Sequence, residues 1–193
     1  MPSKLPAGAR DRILDAASHL FDSHGVHAVG MQRIISEAGC GKHLLYAEFG
    51  SKDELVAAYL RRSERSWEQT LKATLAMDAE PEEQVVELVR LAAYNVPGTR
   101  GCPIRNTFRE FPDEDHLVHQ VAMAHFEVVR EQLCELTRRT AAADPERLAD
   151  RILLIINGLF GSGSVLSVEE NAEIAVQLAK DVVWVETTDA RSR

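Results

Sequence analysis

The fold is decided by residues 10–60, whose sequence is RDRILDAASHLFDSHGVHAVGMQRIISEAGCGKHLLYAEFGSKDELVAAYL. Apolar residues recur every three or four positions, which is typical of an amphipathic helix. The first segment has this spacing in Ile13, Leu14, Ala17, Leu20 and Phe21. Glycines separate the periodic segments, and glycine commonly ends a helix in the left-handed conformation. The stretch therefore predicts helices over residues 10–23, 32–38 and 42–49, and a fourth helix from Ser51 to about residue 75.

The rest of the chain also predicts helices. Proline and glycine punctuate it, and no segment alternates polar and apolar residues with the period of two that a strand requires. The expected helices cover residues 81–95, 105–110, 114–139, 145–164 and 169–187. We therefore predict an all-α chain of about nine helices, with a three-helix N-terminal domain over residues 1–51 and a C-terminal helical domain over 52–193.

The charge is unevenly distributed. The chain has 193 residues, 45% of them apolar and 27% charged, which is ordinary for a globular protein and argues against global disorder. Its net charge of −8 argues at first against a nucleic-acid partner. However, residues 1–65 carry nine basic and eight acidic side chains, whereas the remainder carries 13 basic and 22 acidic ones. The acidity belongs to the C-terminal two thirds, which indicates two parts with different roles.

Targeting and redox signals predict a cytoplasmic protein with no membrane segment. No apolar run approaches the roughly 18 residues of a membrane span, and the run Ile152–Ile156 ends at Asn157. The N-terminus has no apolar core of the kind that a secretory signal needs. Cys40, Cys102 and Cys134 are odd in number and widely spaced, which favours reduced thiols over disulfides or a zinc site.

Residues 10–60 resemble the N-terminal domain of the TetR family of transcriptional regulators. The elements that carry the resemblance are Ile13–Ala17, Leu20-Phe21, Gly25, Ile34, Ala38-Gly39, Leu45-Tyr46, Phe49, Ser51-Lys52 and Glu54-Leu55. The resemblance implies that residues 30–49 form a helix-turn-helix whose second helix enters the major groove of DNA. It also implies a homodimeric repressor that binds a double-stranded operator and responds to a small-molecule effector.

Eight residues are candidates for DNA contact. Lys42 and His43 lie at the N-terminal end of the expected recognition helix, the end that faces base edges. Tyr46 offers a hydroxyl to phosphate, or packs within the domain, and Lys52 combines its ammonium with a helix N-terminus. The full candidate set is Met31, Gln32, Arg33, Lys42, His43, Leu44, Tyr46 and Lys52.

Three positions depart from the family pattern. Gly30 removes a hydroxyl that would cap the second helix, and Leu44 cannot donate a hydrogen bond to phosphate. Glu48 places a negative charge on the recognition helix. These departures leave a second hypothesis open, in which the chain is a helical, dimeric small-molecule-binding module with weak or lost DNA binding.

The segment ILLIINGLF, residues 152–160, is apolar on all sides and so requires burial on more than one face. An intramolecular core would satisfy this requirement, as would pairing with a second copy, which the resemblance implies. The expected dimer interface contains Ile155, Gly158, Leu159, Ser162, Leu178 and Val182.

The remaining candidates concern an effector pocket, which the family plan places among the middle helices. Aromatic and soft side chains with a few polar groups suit such a pocket. They are Trp67, Tyr94, Asn106, Phe108, His119, Met123 and Phe126. His116, His119 and His125 lack the common helix face of a metal site, so no metal or cofactor is expected. No catalytic motif is present, and we expect no enzyme activity.

Overall fold

A computed structural model describes residues 8–95, 101–162 and 165–188, and all regular elements in those ranges are α-helices. They are α1 (Ala9–His24), α2 (Met31–Ala38), α3 (Lys42–Phe49), α4 (Lys52–Leu75), α5 (Pro81–Tyr94), α6 (Pro103–Glu110), α7 (Leu117–Thr137), α8 (Pro145–Ser162) and α9 (Val168–Thr188). The all-α prediction is confirmed. The predicted end of the eighth helix at residue 164 lies outside the described residues.

The largest difference from the predicted boundaries is at the start of α7, which begins at Leu117 rather than near residue 114. Asp113 forms a turn there instead of capping a helix. Its carboxylate accepts the N–H of Asp115 at 3.1 Å, and its carbonyl accepts the N–H of His116 at 3.1 Å. Short polar side chains favour such local turns over helix, which delays the first helical residue.

The chain divides into two compact units. The N-terminal unit consists of the described residues of Met1–Ser63 together with Pro103–Met123, and the C-terminal unit of those of Glu64–Cys102 and Ala124–Arg193. Thus α6 and the beginning of α7 belong to the same unit as α1, α2 and α3. The predicted boundary between residues 51 and 52 separates a DNA-binding part from an effector-binding part. The two compact units do not test these functions, so the boundary stays a prediction.

Each unit has its own core. In the N-terminal unit α1 packs against α2 and α3, and Ile13, Ile34 and Leu45 are almost completely buried. In the C-terminal unit α5, α8 and α9 pack together around residues such as Leu88 and Ile152. Burial of apolar side chains on this scale is the main favourable contribution to folding.

Within the described ranges no helix is long and apolar enough to cross a membrane. Cys40 and Cys134 are free thiols. Cys134 is buried in the core of the C-terminal unit, and this burial raises the pKa of its thiol above the ordinary value. A protonated, buried thiol acts as a small apolar side chain rather than as a nucleophile.

Candidate nucleic-acid interface

Helix α3 has one buried face and one exposed face. Leu45 and Phe49 are buried against the rest of the N-terminal unit, whereas Lys42, His43 and Tyr46 are exposed. These positions follow directly from the sequence, since residues four apart share a helix face. Leu44 is half-buried at the boundary. The exposed face therefore offers an ammonium, an imidazole and a phenol on one short helix.

The exposed groups of α3 also lie near each other. The Nζ atom of Lys42 is 5.9 Å from the centre of the Tyr46 ring, within the range of a weak cation–π attraction. Tyr46 retains 40% of its surface exposed, although it is a large aromatic residue. Tyr46 is thus partly exposed at the surface of α3 and partly covered, so a contact with phosphate and packing within the domain both stay predictions.

Helix α2 presents Gln32 and Arg33 to solvent, while Ile34 is buried and Met31 is half-buried. The Nη2 atom of Arg33 lies 2.7 Å from Nε2 of His24 at the end of α1. Because a guanidinium only donates, this contact requires an unprotonated Nε2 on the histidine. Arg33 is therefore held in place before any partner is bound.

Arg10 has a role that the sequence did not reveal. Its Nη1 atom donates to the carbonyl of Glu48 at 2.5 Å, and its guanidinium lies 4.2 Å from the centre of the Phe49 ring. Arg10 satisfies a carbonyl in the last turn of α3, which joins the start of α1 to the end of that helix. A backbone carbonyl has no sequence signature, so no pattern pointed to this pair.

Lys52, the first residue of α4, is half-buried and donates from Nζ to the carbonyl of Val26 at 2.8 Å. Burial lowers the pKa of its ammonium below the ordinary value, and the nearby carboxylates of Glu110 and Asp53 offset part of that shift. The ammonium is therefore bonded inside the N-terminal unit. Glu110, to which no sequence pattern pointed, is part of the surroundings of this ammonium.

The predicted pocket residues fall into both compact units. Asn106, Phe108, His119 and Met123 belong to the N-terminal unit, and Trp67, Tyr94 and Phe126 to the C-terminal unit. In the first group the rings of Phe108 and His119 lie 4.6 Å apart, and Nδ1 of His119 contacts the carbonyl of Phe111 at 2.8 Å. In the second group the indole of Trp67 donates to Gln132 at 2.7 Å.

Tyr94 is exposed and lines a surface groove of about 270 Å³ between α5 and α9. The other residues lining this groove are Arg90, Ala172, Glu173, Val176, Gln177 and Lys180. Two cations, a carboxylate, a phenol and an amide thus share this groove with two small apolar side chains. None of the other predicted pocket residues lines it.

The residues of the predicted dimer interface differ in how far they are buried. Leu159 is 2% exposed and belongs to the core of the C-terminal unit, while Ile155 and Val182 are half-buried against that core. Gly158 and Leu178 are exposed. Ser162 is the last residue of α8. The exposed apolar position on α8 is Leu154, which the sequence analysis did not select and which is 70% exposed.

The sequence model of the bacterial regulatory proteins of the tetR family matches residues 13–59. An HTH-type transcriptional regulator of Mycobacterium tuberculosis is 37% identical over 78 residues, which make up 40% of this chain. The aligned part spans only 39% of that relative. The HTH-type transcriptional regulator BetI of Rhizobium meliloti is 28% identical over 178 residues, 90% of this chain and 87% of BetI.

The fold is also that of a solved regulator. The crystal structure of a TetR-family transcriptional regulator from Streptomyces coelicolor superposes with a TM-score of 0.87 and 27% identity. The superposition covers 94% of this chain and 97% of that one. Residues 13–59 therefore match the N-terminal domain of the tetR family of bacterial regulatory proteins, and the whole fold is similar to that of a TetR-family transcriptional regulator. The family is one of regulators rather than enzymes.

Proposed function

We propose that this protein is a homodimeric repressor that binds a palindromic operator in the cytoplasm and is released from it by a small-molecule effector. The observation that carries the proposal is the exposed face of α3, where Lys42, His43 and Tyr46 project from a helix anchored by Leu45 and Phe49. A short helix of this kind fits the major groove of DNA. The proposed dimerisation and the proposed release by an effector involve other surfaces of the chain.

The roles on α2 and α3 follow from the chemistry of each side chain. His43, at the N-terminal end of α3, contacts base edges, and Leu44 contacts a thymine methyl group. Lys42, Tyr46, Gln32 and Arg33 contact phosphates, which orient the protein without carrying sequence information. Met31 lies at the start of α2 and packs beside these contacts.

Dimerisation uses an apolar face that α8 and α9 share. Leu154, Gly158 and Gly161 are exposed at spacings of four and three on α8, and Ile174, Leu178 and Val185 are exposed at spacings of four and seven on α9. A side chain added at either glycine would meet no atom within 4 Å, so another helix has room to approach. Exposed apolar faces of this kind mark association sites, and a twofold axis pairs each face with its copy.

A dimer places two α3 helices about 34–36 Å apart, one turn of DNA, which is why we expect a palindromic operator. An effector bound in the C-terminal domain alters the direction of α4 and moves the two helices off this spacing. The change requires that the effector bind the two states with different affinities. The groove beside Tyr94 accepts a small ligand, and native mass spectrometry of the protein as purified tests for one.

The central experiment measures binding to the DNA upstream of the protein's own gene over a series of salt concentrations. We expect a specific complex whose affinity falls steeply with salt, because phosphate contacts release counterions. Lys42→Ala should reduce the slope, whereas Lys72→Ala, which removes an exposed lysine from the C-terminal unit, should leave it unchanged. A folded dimer without a specific complex at low salt would favour the second hypothesis, a small-molecule-binding module without an operator.

A further inference from the structure

Glu110, the last residue of α6, makes three hydrogen bonds to the turn between α1 and α2. Its two carboxylate oxygens accept the backbone N–H groups of Val26, at 3.0 Å, and His27, at 2.6 Å. Its own carbonyl accepts a hydrogen from Nε2 of His27 at 2.6 Å. Because a carbonyl oxygen only accepts, that contact assigns the ring proton to Nε2. A residue 84 positions away in sequence thus holds a two-residue turn.

Lys52 holds the same turn from the other side. Its ammonium donates to the carbonyl of Val26 at 2.8 Å, and that carbonyl belongs to the peptide group whose N–H, on His27, is bonded to Glu110. One peptide group is therefore bonded at its N–H by a carboxylate and at its carbonyl by an ammonium. Both bonds involve an ionised partner, and such hydrogen bonds are stronger than neutral ones.

A stacked ring contact supports the same turn. The ring of Phe111 lies 4.7 Å from that of His27 in a stacked arrangement and 4.8 Å from that of His116. His116 in turn faces Asp53, the second residue of α4, with 3.4 Å between Nε2 and Oδ2. The corner between α6 and α7 therefore contacts both the α1–α2 turn and the start of α4.

The turn is close in sequence to the proposed DNA contacts. Helix α2 begins at Met31, four residues after His27, so a displacement of the turn displaces Gln32 and Arg33 with it. Gly25, just before the turn, has a φ of 84°, so the chain leaves α1 in a conformation that other residues rarely adopt. The hydrogen bonds of Glu110 and Lys52 thus hold the segment that leads into α2.

We propose that Glu110 and Lys52 form a clamp on the Val26–His27 peptide, and that both are positioning residues for DNA binding. Lys52 acts on DNA affinity through this turn and not as a phosphate contact of its own. The inference rests on the proposed binding of an operator. It assigns to Lys52 a different role from the one that its position at a helix start implies.

The test compares Glu110→Gln and Lys52→Ala with Glu114→Gln in the full-length protein. Glu114 is an exposed carboxylate four residues beyond Glu110, so its variant changes the net charge equally without touching the turn. The first readout is hydrogen exchange of the Val26 and His27 amides in the protein without DNA. We expect exchange of both amides to accelerate at least about tenfold in Glu110→Gln, since their acceptor is weakened, and to stay unchanged in Glu114→Gln.

The second readout is the salt dependence of binding to the upstream DNA. We expect Lys52→Ala and Glu110→Gln to weaken binding several-fold relative to Glu114→Gln while the slope of log affinity against log salt stays that of the unchanged protein. A Lys52→Ala slope lower by about one unit per protomer would overturn the proposal, because it would show a lost phosphate contact. Unchanged exchange of both amides in Glu110→Gln would overturn it as well.

The two readouts separate this proposal from the proposed function. If the unchanged protein forms no specific complex with DNA, the operator hypothesis fails, yet the exchange measurement still decides whether the clamp exists. If Glu110→Gln does not fold, both measurements are made on Lys52→Ala, because this variant removes the bond to the carbonyl of the same peptide group.

Discussion

The two helices proposed to contact DNA, α2 and α3, begin without a side-chain cap, as α1 and α5 do, whereas α4, α8 and α9 begin with one. Gly30 and Gly41 precede α2 and α3 and make no side-chain hydrogen bond. By contrast, the side chains of Ser51, Asp144 and Ser167 accept backbone N–H groups in the first turns of α4, α8 and α9. A capped helix satisfies its own first N–H groups, whereas an uncapped one leaves them for another partner. On α2 and α3 that partner can be a phosphate, which a helix N-terminus attracts.

The exposed face of α3 also differs in polarity from the exposed faces of α8 and α9. On α3 the large exposed side chains, Lys42, His43 and Tyr46, all carry a polar group, and on α8 and α9 the exposed side chains include large apolar groups such as Leu154 and Leu178. The first kind of surface costs little to expose, and the second favours association in water. The difference fits the proposed roles, a charged partner for the first surface and a second copy of the chain for the second.

The largest expected effect comes from charging the apolar face. Leu154→Glu should convert the dimer into monomers, because a carboxylate would be buried in the interface without a partner. Affinity for the operator should then fall by about 10²–10⁴, since the second half-site no longer binds as part of the same molecule. Sedimentation velocity and DNA binding measure the two effects.

A matched control is Val128→Glu, which charges an apolar residue of α7 that is 52% exposed. This variant should remain dimeric. Gly158→Asp should also yield monomers, and its side chain has room in the protomer. A stable dimer in both α8 variants would place the interface elsewhere.

A smaller effect on DNA binding is expected from a substitution on α3. His43→Ala should change the preferred base at the contacted position, at a cost of about 1–3 kcal/mol in discrimination. It should leave the salt slope nearly unchanged, because a contact to a base edge, unlike one to a phosphate, releases no condensed counterion. Binding to a library of variant operators measures the preference. A uniform loss across all sequences would contradict a base contact and assign the residue to the DNA backbone.

The capped start of α9 predicts a stability effect of about 1 kcal/mol for Ser167→Ala, measured by urea unfolding. Ser167 and Glu170 bond reciprocally, with distances of 3.1 Å and 2.9 Å. The Ser167 amide and hydroxyl hold the pKa of Glu170 below its ordinary value. The stabilisation that accompanies the lowered pKa of Glu170 is present when the pH is above the ordinary glutamate pKa. It is lost as the pH falls through the lowered pKa.

Ser66→Ala is the control for this prediction, since Ser66 is exposed in the middle of α4, a position with no cap to lose. It should leave stability unchanged or raise it slightly, because alanine favours helix. An equal loss in both variants would show that the Ser167 side chain contributes nothing as a cap.

The smallest effect should come from Gly30→Ser. The position has a φ of −83° and a ψ of 153°, and an added Cβ meets no atom within 4 Å. A serine there supplies the missing cap and should raise the free energy of unfolding by roughly 0.3 kcal/mol. Gly39→Ser should instead lower stability by about 1–2 kcal/mol, because its φ is 59°. Thermal unfolding of both variants checks the opposite signs.

Much of the fold was predictable because its signals are local. The bounds of α3 were predicted correctly, since Gly41 and Gly50 enclose a segment with Leu45 and Phe49 on one face. The start of α7 was not, because the turn at Asp113 competes with helix over only a few residues. The candidate site was predictable where exposure follows from helix geometry, as for Lys42 and Tyr46, and not where a partner lies far along the chain.

The amino-acid sequence by itself determined the helices, their order and the family resemblance of residues 10–60, because apolar period, glycine position and motif spacing are properties of neighbouring residues. Only the tertiary structure decided that Glu110 bonds to Val26 and His27, and that Arg10 bonds to the carbonyl of Glu48. It also decided that Leu154 is exposed while Leu159 is buried. These contacts join backbone groups and helix faces that are distant in sequence, and a backbone N–H or carbonyl is the same at nearly every residue.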